Sequence, residues 1–174
     1  MKRFLIVVDM QKDFVDSSLG TIEAQGIASN VCEKIKSFEG EIIVTFDTHF
    51  ENYLESAEGK KLPVKHCIKG ESGWNLEENV KSALENKSYV SVEKPTFGSV
   101  KLPEIIKEKA QDEDFAVELI GLCTDICVVS NALLLKANFP EAEISVDSTC
   151  CAGVTNESHL CALNTMKSCQ INVI

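Results

Sequence analysis

Positive charge is scarce in this sequence. Against 27 Asp and Glu stand only 17 Lys and Arg, a net charge of −10 at neutral pH. An excess of that sign repels polyanions, so nucleic acid and anionic membrane surfaces are not expected as partners. Long hydrophobic runs are missing too: no stretch approaches the roughly 20 apolar residues of a membrane span. The run Phe4-Leu5-Ile6-Val7-Val8 follows a basic Met1-Lys2-Arg3, but it is too short for a signal peptide and Asp9 interrupts it. It reads as a first strand. The chain holds 1 Trp, 2 Tyr and 3 His, so where each histidine falls carries information.

Cysteine, by contrast, is plentiful, with 8 residues. Without a secretory leader a disulfide framework is the weaker reading, and a reducing cytoplasm is the expected location. Most of the eight read as small buried hydrophobes. Cys32, Cys161 and Cys169 sit in apolar-periodic helical contexts, and Cys150 and Cys151 pack at a strand end.

Strand-like and helix-like segments alternate throughout. Short runs rich in Val, Ile and Phe mark strands at Arg3–Asp9, Glu41–Phe46, Ser88–Glu93, Phe115–Ile120, Glu143–Asp147 and Gln170–Ile174. Helical patterns fall at about Ala24–Phe38, Leu76–Glu85, Leu102–Ala110, Asp125–Asn138 and Thr155–Ser168. Thr155 and Asp125 are candidate caps. The alternation predicts a single α/β domain over residues 1–174, a mostly parallel sheet covered by helices on both faces. Thr48 to Gly73 breaks the rhythm, and a loop that long in a small domain is usually functional or mobile.

In such sheets ligands bind beyond the carboxyl ends of the strands, so the polar residues that end each strand matter most. The first strand ends at Asp9. The second ends at Asp47, with His49 just beyond. The third ends at Lys94. The fourth leads through Gly121-Leu122-Cys123-Thr124-Asp125-Ile126-Cys127 into a helix, placing Cys127 in a first turn where backbone N–H groups and the helix dipole favour a thiolate. Cys127 is thus a candidate nucleophile. Asp9 is a candidate base that takes the thiol proton and returns it to a leaving amine, and Lys94 a candidate ammonium steadying the charges. Taken singly, Asp9 also reads as a turn cap and Lys94 as a solvated group; together with Cys127 the catalytic reading leads. The backbone N–H groups of Cys123 and Cys127 are candidates to hold a developing oxyanion, while the Cys123 sulfur reads as packing.

Asp47 and His49 alternate on an extended backbone and point the same way. With His66 from the long loop they suit a divalent transition metal; the alternatives are a turn residue, a surface group and a loop packer. His159 reads as structural or exposed.

The motifs Val7-Val8-Asp9-Met10-Gln11-Lys12-Asp13-Phe14, Phe46-Asp47-Thr48-His49, Pro63-Val64-Lys65-His66-Cys67-Ile68-Lys69-Gly70, Glu93-Lys94-Pro95-Thr96-Phe97 and Gly121 to Val128 together resemble the isochorismatase-like cysteine hydrolases, nicotinamidase/pyrazinamidase branch. The resemblance runs in order along nearly the whole chain. It implies a six-stranded parallel sheet in the order 3-2-1-4-5-6. It implies a triad of Asp9, Lys94 and Cys127, an oxyanion hole from the N–H groups of Cys123 and Cys127, and a cis peptide at Leu122–Cys123. It implies metal ligation by Asp47, His49 and His66, with zinc as the expected ion and manganese or iron as alternatives, orienting a substrate ring through its nitrogen. Some relatives add a carboxylate; Glu58 and Glu55 are the candidates, each expected to be exposed. A homo-oligomer, dimer or tetramer, is also implied.

The chain departs from the pattern before His66, where Lys61-Leu62-Pro63-Val64-Lys65 offers no aromatic residue to sandwich a ring. Phe14 and Phe97 are pocket candidates, with core packing as the alternative, and Trp74 has no assigned place. The expected function is a metal-containing cysteine amidohydrolase that converts a small, nicotinamide-like carboxamide to acid and ammonia through a thioester. The rivals are a metal-independent relative acting on carbamoyl or ureido groups and a non-enzymatic metal or thiol-redox protein.

Overall fold

Alternate residues of the first strand serve two different cores. In the computed structural model, which describes residues 1–174, β1 spans Lys2–Val8. Phe4, Ile6 and Val8 point to one face of the sheet, while Leu5 and Val7 point to the other. Every one of these side chains is fully buried. A strand with helices on both sides must be apolar at every position, which is why this run lacks polar alternation.

The other strands are β2 (Glu41–Asp47), β3 (Tyr89–Lys94), β4 (Phe115–Leu122), β5 (Glu143–Ala152) and β6 (Asn172–Val173). All neighbours pair in parallel, in the order β3-β2-β1-β4-β5-β6, the order that the resemblance implies. The order reverses direction between β1 and β4, and the carboxyl ends of β1, β2, β3 and β4 share one edge.

Seven α-helices connect the strands: α1 (Lys12–Val15), α2 (Ile22–Ser37), α3 (Ala57–Lys61), α4 (Glu78–Leu84), α5 (Lys101–Ala110), α6 (Val129–Asn138) and α7 (Asn156–Ser168). Val31 and Ile35 of α2 and Val80 and Leu84 of α4 cover one face. Leu102 and Ile106 of α5, Leu135 of α6 and Met166 of α7 cover the other. Local chemistry sets the ends. Thr21 caps α2 by accepting the Ala24 N–H, and Thr155 caps α7 in a reciprocal pair with Ser158.

Several boundaries differ from expectation. β5 continues five residues past Asp147, because a register shift between Leu119 and Gly121 of β4 lets Gly121 pair with Cys151 and Leu122 with Ala152. β6 is only two residues long. The short α1 follows β1 immediately and was not expected. The stretch from Thr48 to Trp74 contains α3 and two 3-10 turns, Tyr53–Glu55 and Ser72–Trp74. Asp125 does not cap a helix; its Oδ1 accepts the Val154 N–H at 3.1 Å. Cys161 and Cys169 are exposed, not buried, because α7 turns Ala162, Leu163 and Met166 inward. All 8 cysteines are free. No helix is long and apolar enough to cross a membrane.

Candidate active site

Three strand ends converge on one ammonium. β1 ends at Val8, and Asp9 adopts a left-handed backbone, φ 46°, that turns the chain away from the sheet. Its carboxylate is anchored by Thr45 of β2: the Thr45 hydroxyl donates to Asp9 Oδ1 at 2.6 Å and accepts the Asp9 N–H at 3.2 Å. Lys94, the last residue of β3, places Nζ 2.7 Å from Asp9 Oδ2, 3.1 Å from Asp47 Oδ1, 3.0 Å from the Thr96 carbonyl and 3.4 Å from Cys127 Sγ. Asp9, Lys94 and Cys127 are all buried.

Cys127 is carried by a single π-helical turn, Thr124–Val128, that precedes α6. The turn follows a cis peptide at Leu122–Cys123 and Gly121 at φ 114°. A side chain at Gly121 would strike the Val8 carbonyl, so only glycine lets β4 press this close to β1 while bending toward the cysteine. Asn131 holds the turn by donating to the Cys127 carbonyl at 2.8 Å, and Thr124 meets His159 Nδ1 at 2.8 Å. His159 is therefore a structural partner of this loop.

Burial is the largest influence on the thiol. Desolvation and then the Asp9 charge push Cys127 well above the ordinary thiol range, and the Lys94 charge only partly offsets them. The thiolate preference expected of a helix start is thus opposed by the full burial of the sulfur. Burial also raises Asp9, against the opposing Lys94 charge. Burial opposes the charge on Lys94 as well, but Asp9, the Cys127 sulfur and Asp47 outweigh it and keep the ammonium protonated. Lys94 Nζ thus lies between the Asp9 carboxyl group and the Cys127 sulfur. Asp9 Oδ2 faces Lys94 without hydrogen-bond alignment and has no other partner. Its lone pair is free to take the thiol proton.

Next to this group lies a second cluster. Asp47 Oδ2, His49 Nε2, Glu58 Oε1 and His66 Nε2 all fall within 4.8 Å of one another. Asp47 Oδ2 lies 2.9 Å from His49 Nε2 and 3.6 Å from His66 Nε2; Glu58 Oε1 lies 3.8 and 3.6 Å from the same two atoms. Glu58 thus turns inward from α3, against its expected exposure, while Glu55 stays exposed. Asp47 is shared between the clusters, with Oδ1 toward Lys94 and Oδ2 toward the imidazoles.

The donor set fits a divalent metal. His66 Nδ1 meets the Val64 carbonyl at 2.8 Å, which assigns the proton to Nδ1 and turns the Nε2 lone pair into the cluster. His49 Nε2 is buried with no hydrogen-bond partner, an orphan that a cation would satisfy. Two imidazoles and two carboxylates are ordinary zinc, manganese or iron ligands. Without an ion, burial disfavours charge on His66, but hydrogen bonds with Asp47 and Glu58 overcome this and push it up to about 10. Burial would raise Asp47, yet its imidazole partners and Lys94 hold it well below the usual carboxylate range. A bound cation would take the place of the His66 proton.

A cavity of about 290 Å³ opens above both clusters. Cys127, Cys123, Asp47, Glu58 and His66 form its polar side; Phe14, Leu19, Leu62, Phe97, Ile126 and Val154 supply apolar walls. Both phenylalanines therefore reach the cavity: Phe14 packs 5.5 Å from the His66 ring, and Phe97 is 42% exposed at the mouth. Trp74 does not take part. It packs on Phe46 and donates to Thr48. Sequence reasoning missed Tyr53, which is buried with its ring 4.7 and 4.9 Å from those of His49 and His66. As the only tyrosine in the unpatterned loop it was the available signal.

A family model described as the isochorismatase domain matches residues 3–174. The chain belongs to the isochorismatase family. Among solved structures, this family member is similar to the pyrazinamidase/nicotinamidase from Streptococcus mutans UA159, with a TM-score of 0.86 and 26% identity over 99% of this chain and 100% of that one. It is also similar to the pyrazinamidase of Pyrococcus horikoshii solved in complex with zinc, with a TM-score of 0.81 and 25% identity over 100% and 99% of the two chains. The N-carbamoylsarcosine amidase from Thermoplasma acidophilum shares the fold, with a TM-score of 0.77 and 22% identity over 99% and 95%. No curated protein sequence gives a significant match. Isochorismatase-family membership accounts for the sheet order; which chemistry this member performs is a question for its site.

Proposed function

We propose that this isochorismatase-family chain is a cysteine amidohydrolase acting on the C–N bond of a small uncharged carboxamide. Family membership and the likeness to nicotinamidase/pyrazinamidase structures favour an amidohydrolase. The observation that carries the reading is the buried chain Asp9–Lys94–Cys127, whose cysteine lines a largely apolar cavity.

In the proposed cycle, the substrate carbonyl lies over Cys127 and its oxygen toward the N–H groups of Cys123 and Cys127. As Cys127 Sγ attacks the carbon, its proton passes to Asp9. Lys94 stays protonated and balances the carboxylate. Asp9 returns the proton to the nitrogen as the C–N bond breaks, and ammonia leaves a thioester on Cys127. A water then gives its proton to Asp9 while its oxygen attacks the thioester; the S–C bond breaks, Asp9 returns the proton to the departing sulfur and the acid leaves. A raised Asp9 suits both halves, since a base must also act as an acid near neutral pH.

Asp47, His49, Glu58 and His66 are the residues that would hold a divalent ion, zinc first, with manganese or iron as alternatives. Such an ion would supply an electrophile for a lone pair of the substrate, a ring nitrogen in a nicotinamide-like amide, and so orient it. No lysine or arginine lines the cavity, and Asp47 and Glu58 add negative charge. Among its side chains nothing would balance a carboxylate, such as that of N-carbamoylsarcosine. This favours neutral carboxamides over carboxylate-bearing carbamoyl substrates. A screen for ammonia release, nicotinamide first, with and without added zinc or manganese, tests the proposal. Release from nicotinamide or another neutral amide supports it; release only from carboxylate-bearing carbamoyl compounds replaces it.

A further inference from the structure

The turn that leaves β1 and the short α1 after it carry Gln11 and Asp13, polar side chains that take no part in the proposed cycle. Gln11 is fully buried. Its Oε1 accepts the Asp47 N–H at 2.8 Å, and its Nε2 donates to the Asp47 and Trp74 carbonyls at 2.9 Å each. The course of the strands explains the pattern. β1 and β2 pair only as far as Val7 and Val44, and Asp9 then turns β1 away. Asp47 lies beyond that point. On one side Thr48 still donates to the Lys94 carbonyl of β3, but on the other no strand remains. The Gln11 amide fills that gap, meeting both the N–H and the C=O of Asp47 as a neighbouring strand would.

Asp13 does the same for the histidine loop. Its Oδ2 accepts the Cys67 N–H at 2.7 Å, directly after His66, in a residue held at φ 48°. The carboxylate fills the space beside Gly73, where any Cβ would collide with it. The loop is in turn tied to the other histidine: the His49 N–H donates to the Cys67 carbonyl and the His49 carbonyl accepts the Lys69 N–H, each at 2.9 Å.

We propose that Gln11 and Asp13 are positioning residues for the Asp47–His49–Glu58–His66 cluster, one fixing the Asp47 backbone and the other the His66 loop. The proposal rests on reading that cluster as a metal site. One short turn then serves both halves of the site, since Asp9 faces the thiol and the next two alternate polar residues set the ligands. Outer partners of this kind typically govern metal affinity by about 10–100-fold.

The test compares zinc affinity, by competition with a chromophoric chelator, and the visible absorption bands of the Co²⁺-loaded protein. The variants are Gln11→Met, Asp13→Ala and Asp13→Asn, with thermal unfolding of the metal-free proteins as a control. Gln11→Met and Asp13→Ala are expected to bind zinc about 10–100-fold more weakly and to alter the Co²⁺ bands. Asp13→Asn keeps an oxygen acceptor for the Cys67 N–H and is expected to stay within a few-fold of the parent protein. Asp13 is only half-buried, so its pair of variants carries the test even if Gln11→Met fails to fold. The proposal is overturned if folded Asp13→Ala binds zinc as the parent does, or if Asp13→Asn is as weak as Asp13→Ala. If the parent takes up no zinc, the metal reading itself fails and the proposal with it.

Discussion

Lys94 Nζ lies 2.7 Å from Asp9 Oδ2, and both side chains are shut off from solvent. The ammonium also faces Asp47 Oδ1, so it is the one cation between two buried carboxylates. Lys94→Met strands Asp9 and leaves Asp47 only its imidazole partners. Breaking a buried pair costs about 3–5 kcal/mol, and that loss is expected in urea unfolding at neutral pH. The sign with pH follows. Without the ammonium, Asp9 in the folded protein rises further above its unfolded value, so the folded state holds its proton longer. The deficit should therefore be small in mild acid and grow as pH rises through the two values. A deficit that shrinks with rising pH would contradict the ion pair.

The same geometry predicts an unusual effect on the thiol. After burial, the Asp9 charge is the largest influence raising Cys127. Asp9→Asn removes that charge and leaves Lys94 in place. The pH midpoint for alkylation of Cys127 by iodoacetamide should move downward, while amide hydrolysis is lost. A more readily ionised yet inactive cysteine separates a proton carrier from a group that merely perturbs the thiol. An upward move of the midpoint would refute the arrangement.

Metal content provides an independent check. His49→Ala and His66→Ala each remove an imidazole from the cluster and are expected to purify without stoichiometric metal. Their kcat/KM for the best amide should fall at least about 10-fold, and added zinc should not restore it. Full activity in metal-free protein would favour a metal-independent member of the family.

Much of the fold and site is legible from the residues that end the strands. The unbroken apolar run of β1 betrays a strand buried on both faces, so Asp9 stands out as the polar residue that ends it, while Asp47 and Lys94 are the charged residues at which β2 and β3 end. Glu58 is legible as a candidate carboxylate, but its inward direction, against the expected exposure, is not. Its inward direction is set by the Ser56 cap of α3, which accepts the Gly59 N–H, and by the packing of Tyr53 against both histidines. Neither has a periodic signature. The extension of β5 through Cys150 and Cys151 depends on a bulge in its neighbour, a pairing effect that no single segment displays. The state of Cys127 escapes the sequence for a related reason: local helix geometry is visible there, whereas full burial of a sulfur is a property of the assembled fold.

The cavity walls predict selectivity. With no basic side chain to receive an anion, a neutral amide should be hydrolysed with a kcat/KM at least about 10-fold above that of the same amide bearing a carboxylate, a gap of about 1.4 kcal/mol. Initial-rate comparison of such matched pairs decides the point; equal efficiency would show that charge plays no part in selection.

The most direct measurement is mass spectrometry of enzyme quenched during turnover of an amide it hydrolyses, with ammonia release followed in parallel. A nucleophilic Cys127 should carry an acyl group that disappears as substrate is consumed, and Cys127→Ala should lose ammonia release by about 10⁴-fold or more. Ammonia release undiminished in Cys127→Ala would contradict that role.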